Sequence, residues 1–180
     1  GKGAYYAMYL MISLQQGEPY AGWADQYTVD DLKPAHARSY EPRSVNTGTT
    51  VRLINLMMDY YKLTADTRFL SGIPAAIRFL ESMKLPESDV KKWKRQSTNP
   101  EAILVRRFVD PDTGKPLYVH RKGSNVKNGT YYIDQNIENT IAHYNSATFV
   151  NPGELRRRYE EVKKLPESEL AKNSPLLQDN

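Results

Sequence analysis

Apolar and polar positions along the chain follow two rhythms, one of helices and one of short strands. Ala4 to Gln16, "AYYAMYLMISLQQ", is apolar on nearly every face. That pattern predicts a helix buried all round rather than an amphipathic one. In "TGTTVRLINLMMDYYKLT", Thr47 or Thr49 can cap a helix, and Val51, Ile54, Met57 or Met58, and Tyr61 mark its face. Beyond Asp66, the positions Phe69, Ile73, Ile77 and Leu80 mark one face of a second helix, which Leu85 and Pro86 end. Pro74 either kinks that helix or lies in its first turn. Together they predict a helical hairpin.

From Ala102 the period changes. "AILVRRFVDPDTGKPLYVHRKG" reads as two short strands around a turn, because "DPDTGKP" has the Asp, Pro and Gly chemistry of a turn. "GTYYID" is a third strand or an extended loop, and Asn136 to Ser146 a short helix or a loop. A last helix runs through "NPGELRRRYEEVKKL", with Asn151 as N-cap, Pro152 at its first position and Glu154 at its third. The core is expected over residues 3–164, with a frayed tail over 165–180. The pattern therefore predicts a mainly α architecture with a small β-hairpin insertion and long loops.

Between the first two helices lies Gly17 to Gly48, long and rich in Gly, Pro and aromatics. A loop of this length inside a domain is usually functional or disordered, and its aromatic content argues for order. At 180 residues the chain is a single domain or the C-terminal part of a larger catalytic one. The all-round apolarity of the opening segment favours the second, with either a missing N-terminal part or self-association covering it. That segment is too short to span a membrane, which takes roughly 20 apolar residues. No signal peptide is recognisable. The absence of Cys excludes disulfides, thiolate catalysis and cysteine–zinc sites.

Charge adds a location. The window Lys91 to Asn128 holds ten Lys or Arg against three acids, so it carries +7 of a chain whose net charge is +4. A segregated basic window suggests an anionic partner, although a solvated lysine-rich loop gives the same composition. Three arginines stand out: Arg38 in the first long loop, and Arg107 and Arg121 flanking the turn. A guanidinium fork pairs both oxygens of a carboxylate. With Tyr20, Trp23, Tyr27, Tyr40, Trp93, Tyr118, Tyr131 and Tyr132 as stacking rings, the set suits a polymer of acidic sugars. Arg38 equally suits an internal salt bridge to Glu41. His36, His120 and His143 are too scattered for a metal triad and read as ordinary loop residues, with His120 a candidate for the cleft.

Two segments taken together resemble the pectate lyases of polysaccharide lyase family 10. The first is carried by Trp23, Ala24, Gln26 and Ala37 to Pro42; the second by Arg107, Phe108, Lys115, Pro116 and Arg121 to Gly123. The resemblance covers about Gly17 to Gly123. It implies an incomplete α/α toroid, calcium in the cleft, and β-elimination of de-esterified polygalacturonate by a secreted or periplasmic enzyme. By the same resemblance Arg38 looks like the general base. Arg107, Arg121, Lys115, Trp23 and Tyr40 look like substrate-binding residues. The family's calcium carboxylates have no matching segment here, so the metal ligands stay unassigned and are expected outside the chain. Asp25, Asp30 and Asp31 lie near the motif at unfamiliar positions, and the last two read as capping or solvated residues. Val109 stands where the family often has tyrosine, and Lys122 where it often has aspartate.

Alternatives from other classes are a non-catalytic helical module that binds acidic glycans, and a nucleic-acid binder using Lys91 to Lys127. No nucleic-acid motif supports the second. The expected partner is therefore pectin or polygalacturonate, with neither nucleic acid nor membrane.

Overall fold

The computed structural model describes residues 2–36, 41–93, 95–122, 130–134, 136–137 and 146–170, with the main chain alone at 121–122 and 130–131. Five α-helices are described: α1 (Lys2–Leu14), α2 (Thr47–Thr64), α3 (Ile73–Ser82), α4 (Glu87–Lys92) and α5 (Pro152–Lys163). Six short strands accompany them: β1 (Val45–Asn46), β2 (Ile103–Arg106), β3 (Phe108–Val109), β4 (Tyr118–Lys122), β5 (Thr130–Asp134) and β6 (Ala147–Val150). They form three two-stranded antiparallel sheets, β1 with β3, β2 with β6, and β4 with β5. This overturns the expected mainly α, incomplete α/α toroid. The architecture is mixed α and β, and no toroid is formed among the described residues. The reason is pairing at long range: β1 and β6, which helical periodicity does not reveal, take up the strands around Arg107.

The helices obey their local chemistry. Asn46, not Thr47 or Thr49, caps α2, its side chain accepting from Thr49 N. Ile54, Met57, Met58 and Tyr61 are buried as expected. Phe69 belongs to a separate 3-10 turn, Thr67–Phe69, capped by Asp66. Pro74 sits in the first turn of α3, where its missing N–H costs nothing. Asn151 caps α5 ahead of Pro152, accepting from Glu154 N. Arg156 then grips Glu81 with both nitrogens, fixing α5 to α3.

The turn at "DPDTGKP" forms: Asp110 N donates to Lys115 O, Gly114 N to Asp110 O, and Leu117 N to Phe108 O, each at 2.9 Å. Gly114 has φ +73°, and a Cβ there would fall 2.3 Å from the Tyr20 ring, so both backbone sign and space demand glycine. The strands beyond the turn do not stay together. Only Val109 and Pro116 bridge, after which β4 pairs with β5.

One core cluster joins α2, α3, β1 and β3 around Ile54, Met57, Ile73, Ile77 and Leu80. A smaller one holds Leu85, Leu104, Tyr118, Ile137 and Ala147. Two expectations change at the ends. In α1 only Met8 is buried; Tyr9, Met11, Ile12 and Leu14 lean on the core, and Tyr6 is 77% exposed. The described elements pack against one side of that helix, leaving the stripe of Tyr6, Ala7 and Leu10 outward. The tail is not frayed at its start, since a 3-10 turn over Glu167–Glu169 delivers Leu170 into the core. Residues 171–180 lie outside the described residues.

Candidate active site

The junction of β1 and α2 organises the region where the motif residues meet. Asn46 N donates to Trp23 O, drawing the long loop against the helix start. The Asn46 amide spans two tasks, its oxygen capping Thr49 N and its nitrogen donating to Asp25 Oδ2 at 2.8 Å. Thr49 Oγ1 donates to the other Asp25 oxygen and accepts from Arg52 Nη2 at 3.0 Å. The solvent-facing carboxylate of Asp25 is thus held at the positive end of an 18-residue helix, with Arg52 one hydroxyl away. The next residue, Thr47, reaches the opposite way: its hydroxyl donates to Arg106 O at 2.8 Å and its N–H to Arg107 O at 2.9 Å.

Arg107 is half-buried between β2 and β3, with its guanidinium 5.1 Å from the Phe108 ring centroid. Its N–H donates to Ser146 O, and Ser146 Oγ lies 3.5 Å from Val119 N in β4. These links bring the start of β4 beside Arg107. Arg121 follows two residues further along β4, in register with Tyr131. Lys115 is exposed in the 110–116 turn, and Arg43 ties that turn to the segment before β1 through Asp112 at 3.1 Å. Arg38 and Tyr40 lie outside the described residues, between exposed His36 and half-buried Glu41.

Trp23 is the clear misplacement. It is 2% exposed, its indole N–H donates to Met11 O at 2.7 Å, and Thr50 Oγ1 accepts from its main-chain N–H. In this structure Trp23 fastens the loop to α1 and offers no face to a sugar. Composition alone does not separate a cleft ring from a core ring. Tyr27 is half-buried, its hydroxyl accepting from Ala24 N at 2.7 Å, and burial pushes its phenol up to about 12. Asp30 and Asp31 are exposed, and the Thr28 hydroxyl donating to Asp31 holds that carboxyl below its usual range.

Two arrangements were missed from sequence. The Asp25–Asn46–Thr49 network is one; Asn three residues ahead of Thr49 was a capping signal of equal strength to the two chosen. The other is His120, read as a loop residue. It is a strand residue, 3% exposed, with Nε2 at 2.5 Å from Asp134 Oδ1.

Among the described residues no group of three or more His, Asp or Glu is gathered to hold a metal ion. Asp25 already spends both oxygens on Asn46 and Thr49. The described side chains therefore do not fit a calcium cage. No described helix is long and apolar enough to cross a membrane.

No curated protein matches the chain. A model of the pectic acid lyase family matches residues 4–145, a span that contains both arginine-bearing segments, the Asp25–Asn46–Thr49 network and the β4–β5 ladder. The match covers most of the chain, which belongs to the pectic acid lyase family.

Proposed function

We propose that the chain carries substrate-handling residues of a pectate lyase of the family 10 type, acting outside the cell on de-esterified polygalacturonate. The observation that carries the pectate lyase part of this reading is the family match across residues 4–145, while family 10, the de-esterified substrate and action outside the cell rest on the resemblance of the two arginine-bearing segments. The basic window around Arg107, Lys115 and Arg121 supports an anionic polymer as its substrate.

In the proposed reaction a base removes the C5 proton of a galacturonate unit, the C4–O bond breaks, and its electron pair leaves on the departing oxygen, which takes up a proton. The electrons of the C5–H bond become the C4–C5 double bond. The C5 proton is acidified by the adjacent carboxylate once that group's charge is neutralised. Arg107 and Arg121 are the forks proposed for carboxylates, with Lys115 as a point charge. Arg38 is the proposed base. An arginine is normally protonated, and neighbouring cations would favour its neutral form, which leads to an alkaline optimum. Calcium is kept as the proposed cofactor with ligands beyond the described residues, and no step is assigned to it.

The test is the release of ultraviolet-absorbing unsaturated product from polygalacturonate, at neutral and alkaline pH over a calcium series. Product formation that Arg38→Ala removes supports the reading. This chain alone is expected to release little or no product, because its calcium ligands are expected outside it; tight binding of polygalacturonate by the complete enzyme with no product under any condition overturns the reading in favour of a glycan-binding module.

A further inference from the structure

The outward side of α1 carries a pattern that the fold itself does not use. Gly3, Tyr6, Leu10 and Ser13 are exposed and recur at spacings of three, four and three, the rhythm of a helix–helix seam. Tyr6 is 77% and Leu10 43% exposed, whereas Tyr9, Met11, Ile12 and Leu14 lean on the core. A Cβ on Gly3 would meet nothing, so no packing within the chain calls for glycine there. The helix holds a single charged residue, Lys2, with no acid in its first turn and no base in its last. Arg68, the cation over the Tyr9 ring at the edge of this face, is spent on Asp66.

We propose that this face pairs with the same face of a second copy of the chain, the two α1 helices running antiparallel. With the two-fold axis at the level of Met8, Tyr6 meets the partner's Leu10, and Gly3 meets the partner's Ser13. Large residues thus face each other in the middle of the seam and small ones at its ends. A two-fold contact needs this kind of self-complementarity. The charges complement as well. The positive N-terminus of each helix lies beside the negative C-terminus of the other. Lys2 comes level with the partner's Leu14, at a helix end that has no cation of its own. A 13-residue helix is about 20 Å long, and one helix pair of that length falls short of the roughly 1,200 Å² of a lasting interface. The dimer is therefore weak and exchanges with monomer. Its existence is independent of the lyase reading.

Sedimentation equilibrium of the unaltered chain, from about 1 μM to about 1 mM, spans the affinities open to a contact of this size. The average mass should rise with concentration toward that of two chains. Tyr6→Glu and Leu10→Lys should each weaken association by about tenfold or more. Both positions are exposed, so thermal unfolding of the dilute variants should match that of the parent. Mixed one to one, the two variants should associate again, because the antiparallel seam sets the introduced carboxylate against the introduced ammonium. A chain that stays monomeric throughout overturns the proposal and leaves the stripe to a segment from outside the chain. Association that survives both variants overturns it too, since the contact then lies elsewhere. A mixture that associates no better than either variant alone overturns the antiparallel seam.

Discussion

Thr47 donates its main-chain N–H to the carbonyl of Arg107 at 2.9 Å, so the first turn of α2 and a motif arginine are fastened together. The backbone under Arg107 is fixed from both sides, by Thr47 and by Ser146, and substitutions there can be read as changes in the side chain alone. Arg107→Ala and Arg121→Ala should each raise KM and lower turnover on polygalacturonate. The expected loss is about 1.5–3 kcal/mol per charged hydrogen bond removed. Fully methyl-esterified pectin should be affected little by either change. Kinetics on the two substrates side by side check this; unchanged discrimination in both variants means the forks do not hold carboxylates.

In the complete enzyme, Arg38→Ala should abolish elimination while leaving polygalacturonate affinity near that of the parent, as expected for a group acting in proton transfer. Arg38→Lys should also be poor, because a flexible ammonium does not reproduce a planar guanidinium. Product absorbance and binding, measured on the same preparations, separate the two effects. Near-normal turnover in Arg38→Ala would remove the base assignment.

Asp66 offers a pH test of the fold. It caps the 3-10 turn, accepts Tyr9 OH at 2.7 Å and takes Arg68 Nη2 at 2.6 Å, thereby clipping α1 to the α2–α3 connection. The Arg68 guanidinium holds its carboxyl down at about 2. A carboxylate whose folded pKa lies below its unfolded value of about 3.9 stabilises above the latter and loses that contribution as pH falls through the former. Asp66→Asn should therefore cost about 1 kcal/mol at neutral pH, a figure kept small because Arg68 is largely exposed. The difference between variant and parent should shrink between about pH 4 and pH 2. Urea unfolding across that range measures it, and a constant difference would contradict the clip.

Tyr118 is fully buried, and its hydroxyl has no hydrogen-bond partner among the described residues. Burial pushes its phenol above the usual range, which says the same thing electrostatically. Tyr118→Phe should leave stability unchanged or raise it by about 1 kcal/mol, since it removes a desolvated group without removing a bond. A marked loss of stability would reveal a partner for that hydroxyl.

What the sequence made legible was local. Asn151, Pro152 and Glu154 announced the start of α5 within four residues, and the burial of Ile54, Met57, Met58 and Tyr61 in α2 followed from spacing, whereas Val51 is half-buried and the buried Thr47, Thr49 and Thr50 did not follow from it. What stayed hidden depended on pairing across long stretches. Asp25 finds Asn46 and Thr49 only after the loop folds back, and His120 finds Asp134 only in the register of a ladder. Trp23 failed for another reason, because cleft and core select the same residue type. The toroid failed because β1 and β6 are too short to announce themselves, yet they claim the strands on either side of Arg107.

The ladders also set the order in which the molecule can assemble. Val45 must find Val109, and Ile103 must find Val150, whereas α2 and α3 meet through a short connection. Closing a flexible loop costs only about 0.6 kcal/mol more for each doubling of its length. Distant pairing therefore weighs on folding rate far more than on stability. On this argument the helical pair should form early, and the distant pairings of β1 with β3 and β2 with β6, which flank Arg107, should settle late. Lengthening the connection between β5 and β6 would slow acquisition of the finished fold while leaving its equilibrium nearly untouched.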